Sequence, residues 1–212
     1  MKKKKSYWDN FYTKKILTKK ESPFAKFSLL KLKLFNYTIY DLGCGNGRDT
    51  NFFSKNNFSC VGIDKSKEAI SNNKKKNIFL HQKFISGNFC KYFESKNIKE
   101  NFIIYSRFTW HSINYVDENL LIKTLKKQKN LKFIFIEARS INDGIYGKGK
   151  NVGKHEFTDK YATTHYRRFI DAKDIKKKIS SFAKIIYFKE SKNLAKHKGE
   201  NPCVLRLIAK VK

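Results

Sequence analysis

Hydrophobic and polar positions change period repeatedly along the 212-residue chain, and each change marks an element. NYTIYDLG (residues 36–43) is dense in β-branched and aromatic residues and predicts a strand. GRDTNFFSKNN then sets Phe52 and Phe53 on the face of a short helix. CVGID (60–64) predicts a second strand, KSKEAISNNKKK a helix, QKFISGNF a third strand ending at Gly87 and Asn88, and NFIIYSRF a fourth. DENLLIKTLKKQKN reads as a helix with Asp117 as N-cap and Leu120, Leu121 and Leu125 on one face. LKFIFIEAR (131–139) is apolar enough for a strand buried on both faces. DAKDIKKKISSF predicts a helix, and KIIYFKES and CVLRLIAKV two closing strands, expected to be antiparallel. This alternation implies an α/β fold, a mostly parallel seven-stranded sheet with helices on both faces. Such a sheet binds ligands at the carboxyl ends of its strands.

The alternation stops between residues 140 and 170. That stretch holds Gly144, Gly147, Gly149 and Gly153 of the ten glycines, and His155 and His165 of the five histidines. A loop this long inside a domain is usually functional, so it is read as a substrate-loop insertion or lid. No repeat or linker interrupts the rest, and residues 1–212 are read as one domain.

Composition changes this picture little. No apolar run approaches the ~20 residues of a membrane span, and the basic start MKKKKSYWDNFY lacks the apolar core of a secretory signal. Cys44, Cys60, Cys90 and Cys203 form no C-x-x-C pair and read as reduced core residues of a cytoplasmic protein, with no metal site. The formal charge of +29 invites a nucleic-acid reading. Its carriers are nearly all lysines scattered among Asn, Ile and Phe, which reads as a compositional trend with solvated faces. Nucleic acid is therefore the less favoured partner. Arginine is scarce (Arg48, Arg107, Arg139, Arg167, Arg168 and Arg206), so its clustering carries more information.

The chemistry begins at YDLGCGNGRD, residues 40–49. Gly43, Gly45 and Gly47 follow a predicted strand and open a predicted helix, the layout of a nucleotide cradle. A dinucleotide fingerprint needs a small residue where Arg48 stands, and a P-loop needs G-x-x-x-x-G-K-[ST], which is absent. Asp64 falls 64 − 41 = 23 residues after Asp41, at the end of the second strand, where a carboxylate accepts from a ribose diol.

Together, D-x-G-x-G-x-G and this second acid resemble the class I S-adenosylmethionine-dependent methyltransferases, with their Rossmann-like sandwich. The resemblance implies S-adenosyl-L-methionine as cofactor. It places Asp41 and the glycine turn at the methionine end and Asp64 at the ribose. Asn88 and Phe89 would then flank the adenine, with Cys44, Arg48, Lys65 and Ser106 completing the cofactor set. Over nearly the whole chain, SRFTWHSI, EARS, YGKG and HYRRF also resemble small bacterial methyltransferases of capsule and surface-polysaccharide biosynthesis. YWDNFY and SPFAKF look like that group's opening helix and lid, residues 1–36.

For the acceptor, Arg107, Trp110 and His111 are expected to emerge at the end of the fourth strand, and Glu137 and Arg139 at the end of the fifth. Tyr146, His165, Tyr166, Arg167 and Arg168 are expected to reach in from the long loop. Four arginines on one rim predict an anion-binding acceptor site. A hydroxyl acceptor needs a base, and His111 and then His165 are the candidates, beside Arg107 as the third catalytic candidate. A phosphate-type oxygen needs none. Both acceptors stay open: a sugar hydroxyl on an anionic donor, and a phosphate-like oxygen. The alternative is an RNA or DNA methyltransferase, with Trp110, Tyr146 and Tyr166 as stacking platforms.

Overall fold

In the computed structural model, residues 7–14, 18–32, 36–76, 79–158, 166–196 and 199–212 are described. Helices α1 (Tyr7–Lys14) and α2 (Pro23–Leu32) precede the sheet. Then β1 (Thr38–Leu42), α3 (Arg48–Lys55), β2 (Cys60–Asp64), α4 (Lys67–Lys75) and β3 (Gln82–Ser86) alternate. A short α5 (Phe89–Tyr92) leads to β4 (Phe102–Arg107), a 3₁₀ turn at Trp110–Ser112, α6 (Tyr115–Leu125) and β5 (Leu131–Arg139). After β6 (Lys150–Gly153), β7 (Glu156–Thr158) and β8 (Tyr166–Arg168) come α7 (Ala172–Ser180), β9 (Ala183–Ser191) and β10 (Val204–Val211).

The seven-stranded sheet runs β3-β2-β1-β4-β5-β10-β9. Its first five strands are parallel, and β10 lies antiparallel to both β5 and β9. Side chains alternate across a strand, and this sorts the core into two layers. Tyr40, Leu42, Phe102 and Ile104 face one side, packing with Phe93 and with Leu121, Leu125, Ile175 and Ile179 of α6 and α7. Ile39, Ile103 and Tyr105 face the other, packing with Phe24 and Leu32 of α2 and Phe53 of α3. All four cysteines are buried and unpaired. No helix among the described residues is long and apolar enough to cross a membrane.

Two local expectations are corrected. Helix α6 starts earlier than Asp117, because Asn114 is the N-cap and its side-chain oxygen accepts from the Asp117 amide at 2.8 Å. The 140–170 segment is not one loop: β6, β7 and β8 form a separate antiparallel sheet. Tyr146, Phe157 and Phe169 pack edge-to-face around it and give it a small core of its own.

Candidate active site

Strands β1 and β4 are neighbours although β2 and β3 separate them in sequence, so the connections after them diverge to opposite faces of the sheet. A cavity of about 640 Å³ opens where they part. Its floor is the turn after β1. Gly43, Gly45 and Gly47 all take positive φ (71°, 53° and 72°), the left-handed region that glycine enters without a Cβ penalty. A Cβ on Gly45 would overlap the Tyr12 hydroxyl, and one on Gly43 would overlap Thr109. Gly47 caps α3 and sits against Phe84 and Asn73, outside the cavity.

Three carboxylates stand around this floor. Asp64 accepts from the Gly45 amide and the Ser66 amide, each at 2.8 Å, which fixes the turn and leaves its outer lone pairs toward the cavity. Burial raises its carboxyl, against those two amide bonds. Asp41 accepts from the Thr50 hydroxyl at 2.6 Å. Burial first, and the nearby Asp49 second, push the Asp41 carboxyl up to about 7. Asp49 holds Ser22 and the Tyr105 hydroxyl. Arg48, 3.8 Å from Asp49, and Arg107 line the same cavity. Burial and then the charge of Arg107 lower the Arg48 pKa.

The opening helix expected within residues 1–36 is α1, and its contacts were not legible in the sequence. Helix α1 brings Trp8, Phe11 and Tyr12 to the cavity wall. Asp9 anchors it to the start of α4, accepting from the Ser66 hydroxyl at 2.7 Å. The signal was present as four aromatics in YWDNFY. Phe108, Thr109, Ser112 and Ile113 after β4, and Ala195, Glu200 and Pro202 between β9 and β10, also line the cavity and were not foreseen. Phe108 takes φ 57°, and the Arg107 guanidinium lies 4.2 Å from its ring centroid.

Of the expected cofactor residues, Asp41, Gly43, Cys44, Gly45, Arg48, Asp64, Lys65 and Phe89 line the cavity. Lys65 also pairs with Asp117 at 3.8 Å. Asn88 caps α5 through the Cys90 amide, and Ser106 is buried against Thr109; neither lines it.

The expected arginine rim does not assemble. Arg168 is a core residue, 1% exposed, bonded to Glu118, the Ile113 carbonyl and the Trp110 carbonyl. Trp110 is fully buried and its indole N–H also goes to Glu118. A buried guanidinium and indole each need an acceptor, and one carboxylate serves both. Arg139 pairs with Asp143 at 3.1 Å and with Glu200 at 2.7 Å. Glu137 is fully buried between Arg107 and Arg206. Burial raises its carboxyl, against those two guanidiniums.

Tyr146 bonds His155 at 2.8 Å within the small sheet. Tyr166 and Arg167 lie on β8, away from the cavity lining. His111 does not line the cavity, and its Nδ1 accepts from the Arg139 amide at 3.3 Å. His165 lies outside the described residues.

Asp41 gives the site a pH dependence. A cationic ligand group binds its ionised form, which is present above about 7 and lost below it. Cofactor affinity should therefore fall about tenfold between pH 8 and pH 6. Calorimetry should show that fall, and Asp41→Asn should flatten it at a weaker overall affinity. A flat profile in the unaltered chain would remove Asp41 from the ligand's ammonium.

The Methyltransferase domain family model matches residues 40–123. No curated protein matches the sequence. Solved structures share the fold. A SAM-dependent methyltransferase from Anabaena variabilis is 18% identical, with TM-score 0.69, covering 97% of this chain and 92% of that one. One from Methanosarcina mazei is 17% identical, with TM-score 0.68, covering 83% and 92%. The glycopeptide N-methyltransferase MtfA, solved with S-adenosyl-L-homocysteine, is 11% identical, with TM-score 0.66, covering 91% and 90%. The residues lining the cavity fit that cofactor in kind: two carboxylates, Asp41 and Asp64, suit an ammonium and a diol, and the Arg48 guanidinium suits a carboxylate. The domain match covers residues 40–123, and the seven-stranded sheet in this order, with helices on both faces, is the Rossmann-like methyltransferase fold.

Proposed function

We propose that the acceptor is a small anionic molecule, a phosphate- or carboxylate-bearing sugar of the kind used in surface-polysaccharide (capsule) assembly, methylated on an oxygen that is already charged. The observation behind this reading is Arg107. Its side chain is 11% exposed, it lines the cavity, and its Nε donates to Glu137. Its two Nη groups make no hydrogen bond among the described residues, which leaves a guanidinium fork for a ligand oxyanion. Arg48 is left to the carboxylate of the cofactor.

Bound S-adenosylmethionine supplies an electrophilic methyl group on a sulfonium. The protein's part is alignment and exclusion of water. Arg107 orients the acceptor, Phe108 and Ile113 shape its chamber, and Trp8, Phe11 and Tyr12 of α1 supply its aromatic wall. His111 has Nδ1 occupied by an amide N–H, so its neutral ring carries the proton on Nε2, where a base needs a lone pair. An anionic acceptor fits that arrangement. A nucleic-acid acceptor is the weaker reading, since Trp110, the first stacking platform it would use, is fully buried.

Incubation with methyl-labelled cofactor and separate pools of sugar phosphates, uronic acids, neutral sugars and RNA tests the proposal. Label is expected in the anionic pools; label confined to neutral sugars or RNA overturns it. With the acceptor so found, Arg107→Lys should lower kcat/KM at least about tenfold, since lysine has no fork. Cofactor affinity should stay within about twofold, below the tenfold worth 1.4 kcal/mol. His111→Ala should keep turnover within about threefold. A loss of about two to four decades would restore a hydroxyl acceptor and a histidine base.

A further inference from the structure

Arg107, Glu137 and Arg206 form one row across the centre of the sheet. Glu137 of β5 is in register with Arg107 of the parallel β4 and with Arg206 of the antiparallel β10. Residues directly opposite on adjacent strands present their side chains to the same face. The carboxylate divides its oxygens: Oε1 accepts from Arg107 Nε at 3.1 Å and Oε2 from Arg206 Nε at 2.6 Å. Glu137 is fully buried.

The two guanidiniums are used differently. Arg206 is 5% exposed, donates through Nη2 to the Leu194 carbonyl at 2.6 Å, and lies over the rings of Phe24 and Phe27. It is anchored to the β9–β10 connection, whose Ala195, Glu200 and Pro202 line the cavity. Arg107 is gripped at Nε and reaches the cavity with both Nη groups unbonded among the described residues. The row carries two positive charges and one negative. Stability alone is a poor reason for it, because buried ion pairs hold a fold no better than well-packed apolar residues.

We infer that Glu137 is a positioning residue: it aims Arg107 at the acceptor's anionic group and, through Arg206, keeps Leu194 and the neighbouring cavity-lining Ala195 in register with it. This rests on the anionic-acceptor reading and assigns to Glu137 an indirect role in place of substrate contact. Selectivity for anions would then depend on a residue that no substrate touches.

The test needs no identified acceptor. The chain has six arginines, so Nε-labelled arginine gives six side-chain signals, with Arg107→Lys identifying its own. The protein is studied with S-adenosyl-L-homocysteine bound, and inorganic phosphate is the probe. The Arg107 Nε–H is expected to be slowly exchanging before phosphate is added, and to shift on titration. In Glu137→Gln that signal should lose its protection and phosphate should bind at least about tenfold more weakly, with S-adenosyl-L-homocysteine affinity unchanged. Should Glu137→Gln not fold, Glu137→Asp decides, because it keeps the buried charge and shortens its reach. Unchanged phosphate affinity in whichever variant folds overturns the inference, as does a freely exchanging Arg107 in the unaltered chain. A protected Arg107 that phosphate does not shift would instead overturn the anionic-acceptor reading and leave the positioning geometry standing.

Discussion

Glu118→Ala should lower the unfolding free energy by about 3–5 kcal/mol, the usual result of removing one side of a buried ion pair. Glu118 is 1% exposed and accepts from both Nη atoms of Arg168 at 2.7 and 3.2 Å, from Lys178 and from the Trp110 indole. Alanine leaves the Arg168 guanidinium buried with two carbonyls and no counter-charge, and leaves the Trp110 N–H without an acceptor. For a chain of this length the deficit corresponds to a fall in Tm of roughly 6–20 °C. Burial alone would raise the Glu118 carboxyl, but Arg168 and Lys178 outweigh it and hold it below its usual range. Its stabilisation is therefore present at neutral pH and lost in acid, as pH falls through the lowered folded value. Thermal melts at pH 7 and at steps down to pH 2 check both statements. A Tm within 2 °C of the unaltered chain, on the order of the change from 1 kcal/mol or less, would contradict the account.

Gly45→Val should reduce cofactor affinity at least about a hundredfold, a change of roughly 2.7 kcal/mol. The substitution acts twice. At φ 53° a β-branched residue is strained by about 1–3 kcal/mol. Its Cβ also falls on the Tyr12 hydroxyl, so either α1 lifts or the turn flattens. In the second case the Gly45 amide loses Asp64. Gly199→Val separates strain from crowding, because Gly199 has φ 81° with nothing near a Cβ. That variant should be less stable yet bind S-adenosyl-L-homocysteine normally. Calorimetry giving equal affinities for the two variants would show that the cradle does not hold the cofactor.

The cofactor half was readable because its pieces are local. Strand β1, the glycine turn and α3 are contiguous, and Asp64 is one strand away. The acceptor half was misread because its determinants are distant. Strand position brought Arg107, Arg139 and Arg168 to one region on paper. Arg107 and Arg168 are set by acids 30 and 50 residues away, Glu137 and Glu118, and Arg139 by Glu200, 61 away, besides its near neighbour Asp143. No local pattern encodes those pairings, and a buried Arg168 looks in sequence like its half-buried neighbour Arg167. Likewise β6, β7 and β8 are three or four residues long, with only Phe157 and Arg168 buried, too short and too polar for a period of two to show.

The position of β10 bears on how the chain is made. It is the last described strand, yet it occupies an interior slot, between β5 and β9. Emerging from a ribosome, β5 therefore presents an open nine-residue edge, and β9 has no neighbour to join until β10 is out. Apolar edges of this kind invite association between nascent chains. A deletion of residues 204–212 would remove an inner stave rather than trim a border, and should give inclusion bodies where an equally long deletion at an edge strand would give only a weaker protein.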